Sequence, residues 1–403
     1  MPAGSPAAPL GFSCGRSSAL DLPGKNVGVD SGHSAAHVRP MKTRIGILTG
    51  GGDCPGLNAV IRAVVKSAAK RDWETLGILG GFEGLLRPTH SRVLDYHQMD
   101  GLLYLGGTVL GTSNKGQFSG KSGHGETRTI DPAVLAEARA GFESLGLRAL
   151  VVVGGDGSLT IAQQIFEAGI PVVGVPKTID NDIEGTVVTF GFDSAVAFAT
   201  DALDRLRSTA QSHDRVMVGE VMGRYAGWIA AHAGIAGGAD VILIPEIPFH
   251  MEAICRVVSE REAQDKRFTL VVVAEGAREA GRDFITLGAT GAIREARLGG
   301  IGAVVAEEIG RRTGKETRVC VLGHLQRGGA PTTFDRLLCT RFGASAVRLI
   351  GEEKYGYMVA HRPPDTDAVL ITHAVGRLRT VPLDGDILRT GRALGISFGD
   401  LAP

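Results

Sequence analysis

The sequence predicts an α/β fold built on parallel sheet, and three observations carry that reading. Short apolar runs of strand length alternate with amphipathic helical patterns from Arg44 onward. The strand runs are continuously apolar rather than alternating, as in strands covered on both faces. Glycine makes up 58 of 403 residues, about twice the ordinary ~7%. Because hydrophobic residues still make up 43%, that excess belongs to the tight loops of a folded protein and not to low complexity.

Residues 1–40 are rich in Pro, Ala, Gly and Ser and lack periodicity, with a net charge of +1 from Arg16, Lys25 and Arg39 against Asp21 and Asp30. Such a segment cannot bury a core. It shows neither the apolar centre of a secretory signal nor the arginine density of a transit peptide. It is read as a disordered extension, or as lying before a natural start at Met41. The first strand is Ile45–Leu48, and the helix after Pro55 carries Leu57, Val60, Ile61, Val64, Val65 and Ala68 on one face. Further strands are expected at 74–79, 148–153, 171–175, 215–221, 240–244, 268–274 and 316–322. The helix from Ser194 shows the stripe Ala195, Phe198, Ala199, Ala202, Leu203 and Leu206, which is core. The longest apolar stretch, Trp228–Phe249, contains His232, Asp240, Glu246 and two prolines. It is read as buried helix, loop and strand, and no transmembrane segment is expected. About nine strands exceed one comfortable domain, and the chain is long enough for two.

Lys plus Arg and Asp plus Glu are equal at 43 each, which gives no electrostatic basis for binding nucleic acid or an anionic membrane. The expected partners are small molecules and copies of the chain itself. Five cysteines are scattered without a CxxC or zinc-like spacing, so reduced thiols in the cytoplasm are expected. Cys54 alone lies inside a glycine-rich segment, where it reads as a small residue in a tight loop and not as a nucleophile.

Two segments carry the chemistry. Gly154-Gly155-Asp156-Gly157-Ser158 follows the strand Leu150–Val153 and precedes a helical pattern, so its glycines sit at the carboxyl end of a parallel strand, where open α/β sheets bind ligands. Glycine there lets backbone N–H groups approach phosphate oxygens. Pro176-Lys177-Thr178-Ile179-Asp180-Asn181-Asp182 follows the next strand and brings a cation and two carboxylates to the same edge. The combination reads as a phosphoryl-transfer site. The earlier loop Gly50–Gly56, with Gly51 and Gly52, lacks the Lys-Ser/Thr ending of a Walker A loop. The second strand ends in Gly80-Gly81, where a dinucleotide fold places an acidic residue, which disfavours a nicotinamide enzyme.

Thr49–Asn58, Gly106-Gly107-Thr108, the two segments above, Glu220-Val221-Met222-Gly223-Arg224 and Gly323–Gly329 together resemble the 6-phosphofructokinase family, from about Thr43 to near the C-terminus. The closing stretch Val381–Asp386, with Arg392–Asp400, is similar to that family's mixed-substrate branch, whose members divide between ATP and pyrophosphate. The resemblance implies two unequal Rossmann-like αβα lobes with parallel-rich sheets and a cleft between them. On that likeness the donor lobe is 41–190 with about 327–376, and the sugar-phosphate lobe is 191–326 with about 377–403.

It further implies transfer of phosphate to the 1-hydroxyl of fructose 6-phosphate, with Asp180 as general base, Thr178 bonding the transferring group, Asp182 orienting Asp180, helping with the metal or capping the next turn, and Arg224 assisting. Gly51, Gly52, Gly155, Asp156, Gly157, Ser158 and Lys177 match the donor side, and Asp156 matches a Mg²⁺-holding carboxylate. Arg215, Met222, Gly223, Arg224, Arg318, His324 and Arg327 match the sugar-phosphate side, with Glu275 on the sugar hydroxyls. The family positions of Arg215 and Arg318 reach a neighbouring subunit's site, which implies a homodimer or homotetramer. Gly157 leaves space for the α-phosphate of ATP where pyrophosphate enzymes place aspartate. Lys177 and Asn114 depart toward the pyrophosphate pattern, so ATP ranks first and pyrophosphate second. Lys66 replaces an effector-site arginine, which puts inherited allosteric control in doubt. A catalytically silent sugar-phosphate-binding subunit is the alternative of another class, opposed by the joint presence of Asp156, Asp180, Arg224 and Arg327.

Overall fold

The computed structural model describes residues 42–113, 116–118, 129–283 and 299–401. The extension before Met41 and the position of Asn114 lie outside them. In chain order the elements are β1 (Arg44–Thr49), α1 (Leu57–Ala69), β2 (Glu74–Ile78), β3 (Ser91–Val93), α2 (Pro132–Ser144), β4 (Leu147–Gly154), α3 (Asp156–Glu167), β5 (Val172–Thr178), β6 (Phe190–Gly191), α4 (Phe192–His213) and β7 (Val216–Val221). There follow α5 (Trp228–Ala236), β8 (Val241–Leu243), α6 (Met251–Ala263), β9 (Thr269–Ala274), α7 (Ile301–Thr313), β10 (Thr317–Val321), α8 (Thr333–Gly351), β11 (Tyr357–Arg362), β12 (Asp365–Leu370), α9 (Ile371–Ala374) and α10 (Asp386–Ala393).

Among the described residues the strands form two sheets. The first is eight-stranded in the order β12-β11-β5-β4-β1-β2-β3, with β6 paired to β5, and the second is four-stranded in the order β10-β7-β9-β8. Pairing is parallel throughout the second sheet. In the first it is antiparallel only at the outer pairs β11–β12 and β2–β3. Each sheet is covered on both faces, which is why its inner strands read as unbroken apolar runs. In β1, Ile45 and Ile47 face a core shared with α1 and α8, while Leu48 faces α2 and α3. In β9, Leu270 and Val272 share the core of α4 and α5, whereas Val271 and Val273 pack with α6 and α7.

The eight expected strands are all present, seven within about a residue of their expected limits, while β5 runs three residues further than expected, to Thr178, and so takes in Pro176 and Lys177. The helix expected from Ser194 begins two residues earlier, at Phe192. Four strands had not been read. β3 and β6 span three and two residues, too few to show a period. β11 and β12 form an outer hairpin around Pro363-Pro364; β11 is a short buried run, and the partly exposed, polar-rich positions of β12 resemble loop. The chain leaves the first sheet after β6, builds the second, and returns through α8, which lies along α1. That return joins β11 to β5 through Tyr357↔Val173 and Met358↔Gly174.

Two helix starts lock where the chain crosses. Asp335 in the first turn of α8 is fully buried; its Oδ1 accepts the Gly191 N–H at 3.0 Å, and its Oδ2 accepts the Ser194 N–H at 2.8 Å and hydroxyl at 2.6 Å. In return, the N-cap Thr332 of α8 donates its hydroxyl to Asp193 at 2.5 Å and its N–H to Ser194 Oγ at 3.0 Å. Each helix thus satisfies the orphan N–H groups of the other.

Candidate active site

β1, β4 and β5 are parallel neighbours, so their carboxyl ends deliver three turns to one edge. After β1 the loop crosses to β4 through Gly50 N–H donating to Val153 O at 2.9 Å. Gly51 has φ +75, a left-handed conformation that favours glycine. After β4, Gly155 precedes α3, whose first turn holds Asp156, Gly157 and Ser158. A helix start presents unpaired N–H groups and the positive end of the dipole, a setting for phosphate oxygens. At Gly154 an added Cβ would lie 2.2 Å from Ser158 Cβ, so the turn closes only with glycine.

Lys177 is the penultimate residue of β5; its side chain is buried, and its ammonium donates to Gly52 O. Arg327 arrives from the opposite side, on the 3-10 turn Gly323–Arg327 that follows the second sheet. Its Nη1 donates to Asp53 O at 3.2 Å, and an added Cβ on Gly52 would meet the same nitrogen at 3.1 Å. One loop therefore holds two cations by its carbonyls, with no carboxylate neutralising either in those bonds. Burial pulls the Lys177 ammonium below its ordinary range. Two buried or half-buried cations so placed have the charge and donors that a polyanion would need.

Asp180 stands next to them. Its backbone N–H donates to Thr178 Oγ1 at 3.1 Å, and that hydroxyl lies 3.5 Å from Asp180 Oδ2. Burial holds the Asp180 carboxyl above the usual range, opposed by Arg327, Lys177, the Thr178 hydroxyl and Arg224. Glu275 follows β9, its N–H bonded to Val221 O at 2.8 Å. Its carboxyl is pushed up to about 7 by burial and by Asp180, with Arg224 pulling the other way. The neighbouring Gly276 is obligatory, because a Cβ there would sit 1.9 Å from Arg224 O. Gly223, at φ +135, turns the chain out of β7, and Met222 N–H reaches Gln326 Oε1 at 3.4 Å. Asp180, Glu275, Arg224 and Arg327 thus share one field of alternating charge.

Glu275 gives a testable sign. Its ordinary value of 4.5 rises to about 7 in the fold, so the folded state holds a proton that the unfolded chain releases. That stability is complete below about 4.5 and lost as pH rises through about 7. Glu275→Gln is therefore expected to raise thermal stability over the parent at pH 8, by about 1–3 kcal/mol, and to match it near pH 4.5. Melting curves at the two pH values check this, and an equal offset at both would exclude the assignment.

Asp156 is buried at the start of α3, with Oδ1 accepting the Gly376 N–H at 3.4 Å. Around Gly157 an added Cβ meets no heavy atom within 4 Å, so the position is open. Asp182 lies two residues past Asp180, its carbonyl accepting the Arg379 N–H at 2.9 Å. Arg215 and Arg318 are not gathered with Asp180: both pair with Glu316 at the outer strand of the second sheet. β7 is six residues long, roughly 20 Å at ~3.3 Å per residue, and Arg215 precedes its start whereas Met222–Arg224 follow its end. His324 is exposed on the turn after that same outer strand.

Sequence reasoning had not assigned Asn58. It is buried in the apolar face of α1, where Nδ2 donates to Leu105 O at 3.2 Å and Gly106 O at 3.1 Å, and Oδ1 accepts Val109 N–H at 2.9 Å. The Thr108 and Thr49 hydroxyls bond at 3.1 Å and Thr112 donates its hydroxyl to Gly51 O at 2.6 Å, so the segment 106–112 is fixed against β1 and the first loop. A polar residue inside an apolar stripe was the available signal. Glu220 also has a definite task, since its oxygens accept the Gly300 and Gly302 N–H groups at 3.1 and 2.8 Å and so cap α7. Lys66 is bonded to Asp100 at 2.5 Å and lies 4.4 Å over Tyr96. Cys54 is buried and its thiol pushed up to about 12 by burial, as suits a packing residue. Among the described residues, no helix is long and apolar enough to cross a membrane.

Against known proteins, a phosphofructokinase family model matches residues 44–350. An ATP-dependent 6-phosphofructokinase of Chloroflexus aggregans is 55% identical over 359 residues, covering 89% of this chain and 98% of that protein. A pyrophosphate–fructose 6-phosphate 1-phosphotransferase of Amycolatopsis methanolica is 49% identical over 341 residues, covering 84% and 96%. Among solved structures, phosphofructokinase from Saccharomyces cerevisiae superposes with a TM-score of 0.71 at 30% identity, covering 82% of this chain and 45% of that one. A pyrophosphate-dependent phosphofructokinase from Marinobacter aquaeolei gives 0.72 at 21% identity over 90% of this chain and 93% of that one, a likeness of fold.

Proposed function

The chain belongs to the phosphofructokinase family, and from that premise we propose how its residues divide the work. It phosphorylates fructose 6-phosphate at the 1-hydroxyl with ATP, giving fructose 1,6-bisphosphate in glycolysis. The observation that carries the assignment is Asp180 beside Lys177, Arg224 and Arg327, with the start of α3 open at Gly157.

Asp180 takes the proton of the sugar 1-hydroxyl as that oxygen bonds to the terminal phosphorus; the bridging P–O bond breaks and ADP leaves with its electron pair. Phosphoryl transfer depends on placement and charge stabilisation more than on covalent help. Lys177, the Thr178 hydroxyl and the N–H groups at Gly155–Ser158 face the donor phosphates, with Gly51 and Gly52 closing over them. Arg224, Arg327 and Glu275, with Met222 and Gly223, take the sugar phosphate and hydroxyls, while Asp182 steadies the turn after Asp180. Among the described residues, no group of three or more His, Cys, Asp or Glu could hold a metal alone. A single buried carboxylate sharing the ion with donor phosphates is the arrangement that suits Mg²⁺. Asp156 would be that carboxylate, and the ion supplies neutralisation of phosphate charge.

Arg215 and Arg318 serve a second copy. They stand at an outer strand where Val319, Val321 and Leu325 are 37, 56 and 65% exposed, an apolar edge that a homo-oligomer would cover. On this reading the donor lobe is 41–190 with about 327–376, the remainder is the sugar lobe, and the enzyme works in the cytoplasm.

Pyrophosphate is the second reading, favoured by Lys177. Initial rates with fructose 6-phosphate and Mg²⁺, offering ATP and pyrophosphate separately at matched concentrations, decide it. A large ATP preference is expected. A pyrophosphate preference would mean that Lys177 outweighs the space at Gly157.

A further inference from the structure

The segment between α9 and α10 touches each part of the site. At one end, Gly376 N–H reaches Asp156 Oδ1 at 3.4 Å; at the other, Val381 N–H donates at 2.8 Å to Glu246 Oε1, whose carboxylate also takes the Gly227 N–H at 3.0 and 3.1 Å. Between them Leu378 forms an antiparallel bridge with Ile183, and Arg379 follows. Arg379 has four attachments. Its N–H donates to Asp182 O at 2.9 Å, its Nη1 donates to Asn181 O at 3.1 Å, and its own carbonyl accepts Trp228 Nε1–H at 2.9 Å. Its guanidinium lies 4.4 Å from the centre of the Trp228 ring.

The two carbonyls it grips belong to the residues directly after Asp180. Asn181 is held at φ +53, a left-handed conformation uncommon for a residue with a side chain, and its Oδ1 accepts the Thr189 N–H at 3.0 Å. Without a donor on its carbonyl, that peptide is free to relax toward the ordinary region, and the adjacent carboxylate moves with it. A misplacement of about 1 Å lowers a rate by roughly 10²-fold. Trp228 begins α5 in the second sheet's layer, so its stack ties the orientation of the Asp180 turn to the element beside the sugar-binding residues.

We propose that Arg379 is a positioning residue for the phosphoryl-transfer step, fixing the Asp180 turn through the Asn181 and Asp182 carbonyls and the Trp228 ring. The inference rests on Asp180 as the base and names no contact with substrate. It separates from general packing by non-additivity, since a residue acting through Asp180 has nothing left to act on once Asp180 is gone.

Rates and fructose 6-phosphate affinities are measured for the full chain and for Arg379→Ala, Asp180→Ala and the double variant. Arg379→Ala is expected to lower kcat about 10- to 100-fold with fructose 6-phosphate affinity within about threefold, and to change the rate of Asp180→Ala by less than about twofold. Equal factors in both backgrounds, or a loss confined to KM, would overturn the proposal. If Asp180→Ala itself kept full turnover, the base assignment would fail instead, and the two failures are distinct. Should Arg379→Ala not fold, Arg379→Gln and Trp228→Phe decide. The latter keeps an aromatic stack and deletes the Nε1 bond, so a several-fold kcat loss that vanishes without Asp180 supports the proposal, and an additive one rejects it.

Discussion

Asp180→Ser is expected to lower kcat by about 10³-fold or more while fructose 6-phosphate still binds within a few-fold of the parent. The cations that would hold the sugar phosphate, Arg224 and Arg327, do not depend on Asp180 for their backbone positions, since Arg327 bonds to Asp53 O and Arg224 is fixed by the Gly276 close approach. Proton acceptance from the attacking hydroxyl does depend on it. The pH dependence has a definite sign. Burial raises the carboxyl above its ordinary 3.8, and the ionised form is the active one, so the parent's rate falls as pH drops through that raised value, at a higher pH than for an exposed aspartate. The serine variant lacks that titration. For the same reason the variant should be at least as stable as the parent at pH 8, because an ionised carboxylate held above its unfolded value opposes folding there. Steady-state kinetics across pH and fructose 6-phosphate titration of both proteins test this, and undiminished turnover would remove Asp180 from the mechanism.

What the sequence disclosed, it disclosed through local rules. The inner strands were legible because burial on two faces makes them continuously apolar, and α1 and α4 because their apolar stripes repeat at helical spacing. The turns at the carboxyl ends of β4 and β5 were legible because glycine at a strand end is required by backbone closeness, as at Gly154, and because Lys177 and Asp180 are near neighbours in the chain. Long-range pairing left no such trace. The return of β11 to β5 depends on Tyr357 meeting Val173, which no local period encodes, and β12 has partly exposed positions that read as loop. The mutual capping by Asp335 and Thr332 was hidden for a related reason: either residue alone is an ordinary helix start. Arg379 was least legible, because its partners are backbone carbonyls, which any residue at 181 and 182 would present. Arg215 and Arg318 were legible as matches to family positions that reach a neighbouring subunit, and in this chain they lie at the opposite end of β7 from Met222–Arg224, Arg215 just before its start and Arg318 beside Met217.

Gly157→Asp separates the donor question from everything else in the site. The position is in the first turn of α3, where an acidic side chain is compatible with the helix dipole, and an added Cβ meets nothing within 4 Å. The substitution therefore introduces charge without displacing backbone. A carboxylate about 4 Å from an α-phosphate raises the energy by roughly 4 kcal/mol at an effective dielectric near 20, which corresponds to about three decades in affinity. ATP should lose about that much in kcat/KM, whereas pyrophosphate, which has no third phosphate to place there, should lose far less. Lys177 stays bonded to Gly52 O in either case, so the cation near the transferring group is held constant while the carboxylate alone is varied. Gly157→Asn supplies the neutral control of nearly the same size, and it should keep most of the ATP activity. If aspartate and asparagine depressed ATP use equally, bulk and not charge would govern the position. If neither did so by even tenfold, the α-phosphate would lie elsewhere, and Gly157 would no longer explain a preference for ATP in a site whose lysine suits both donors.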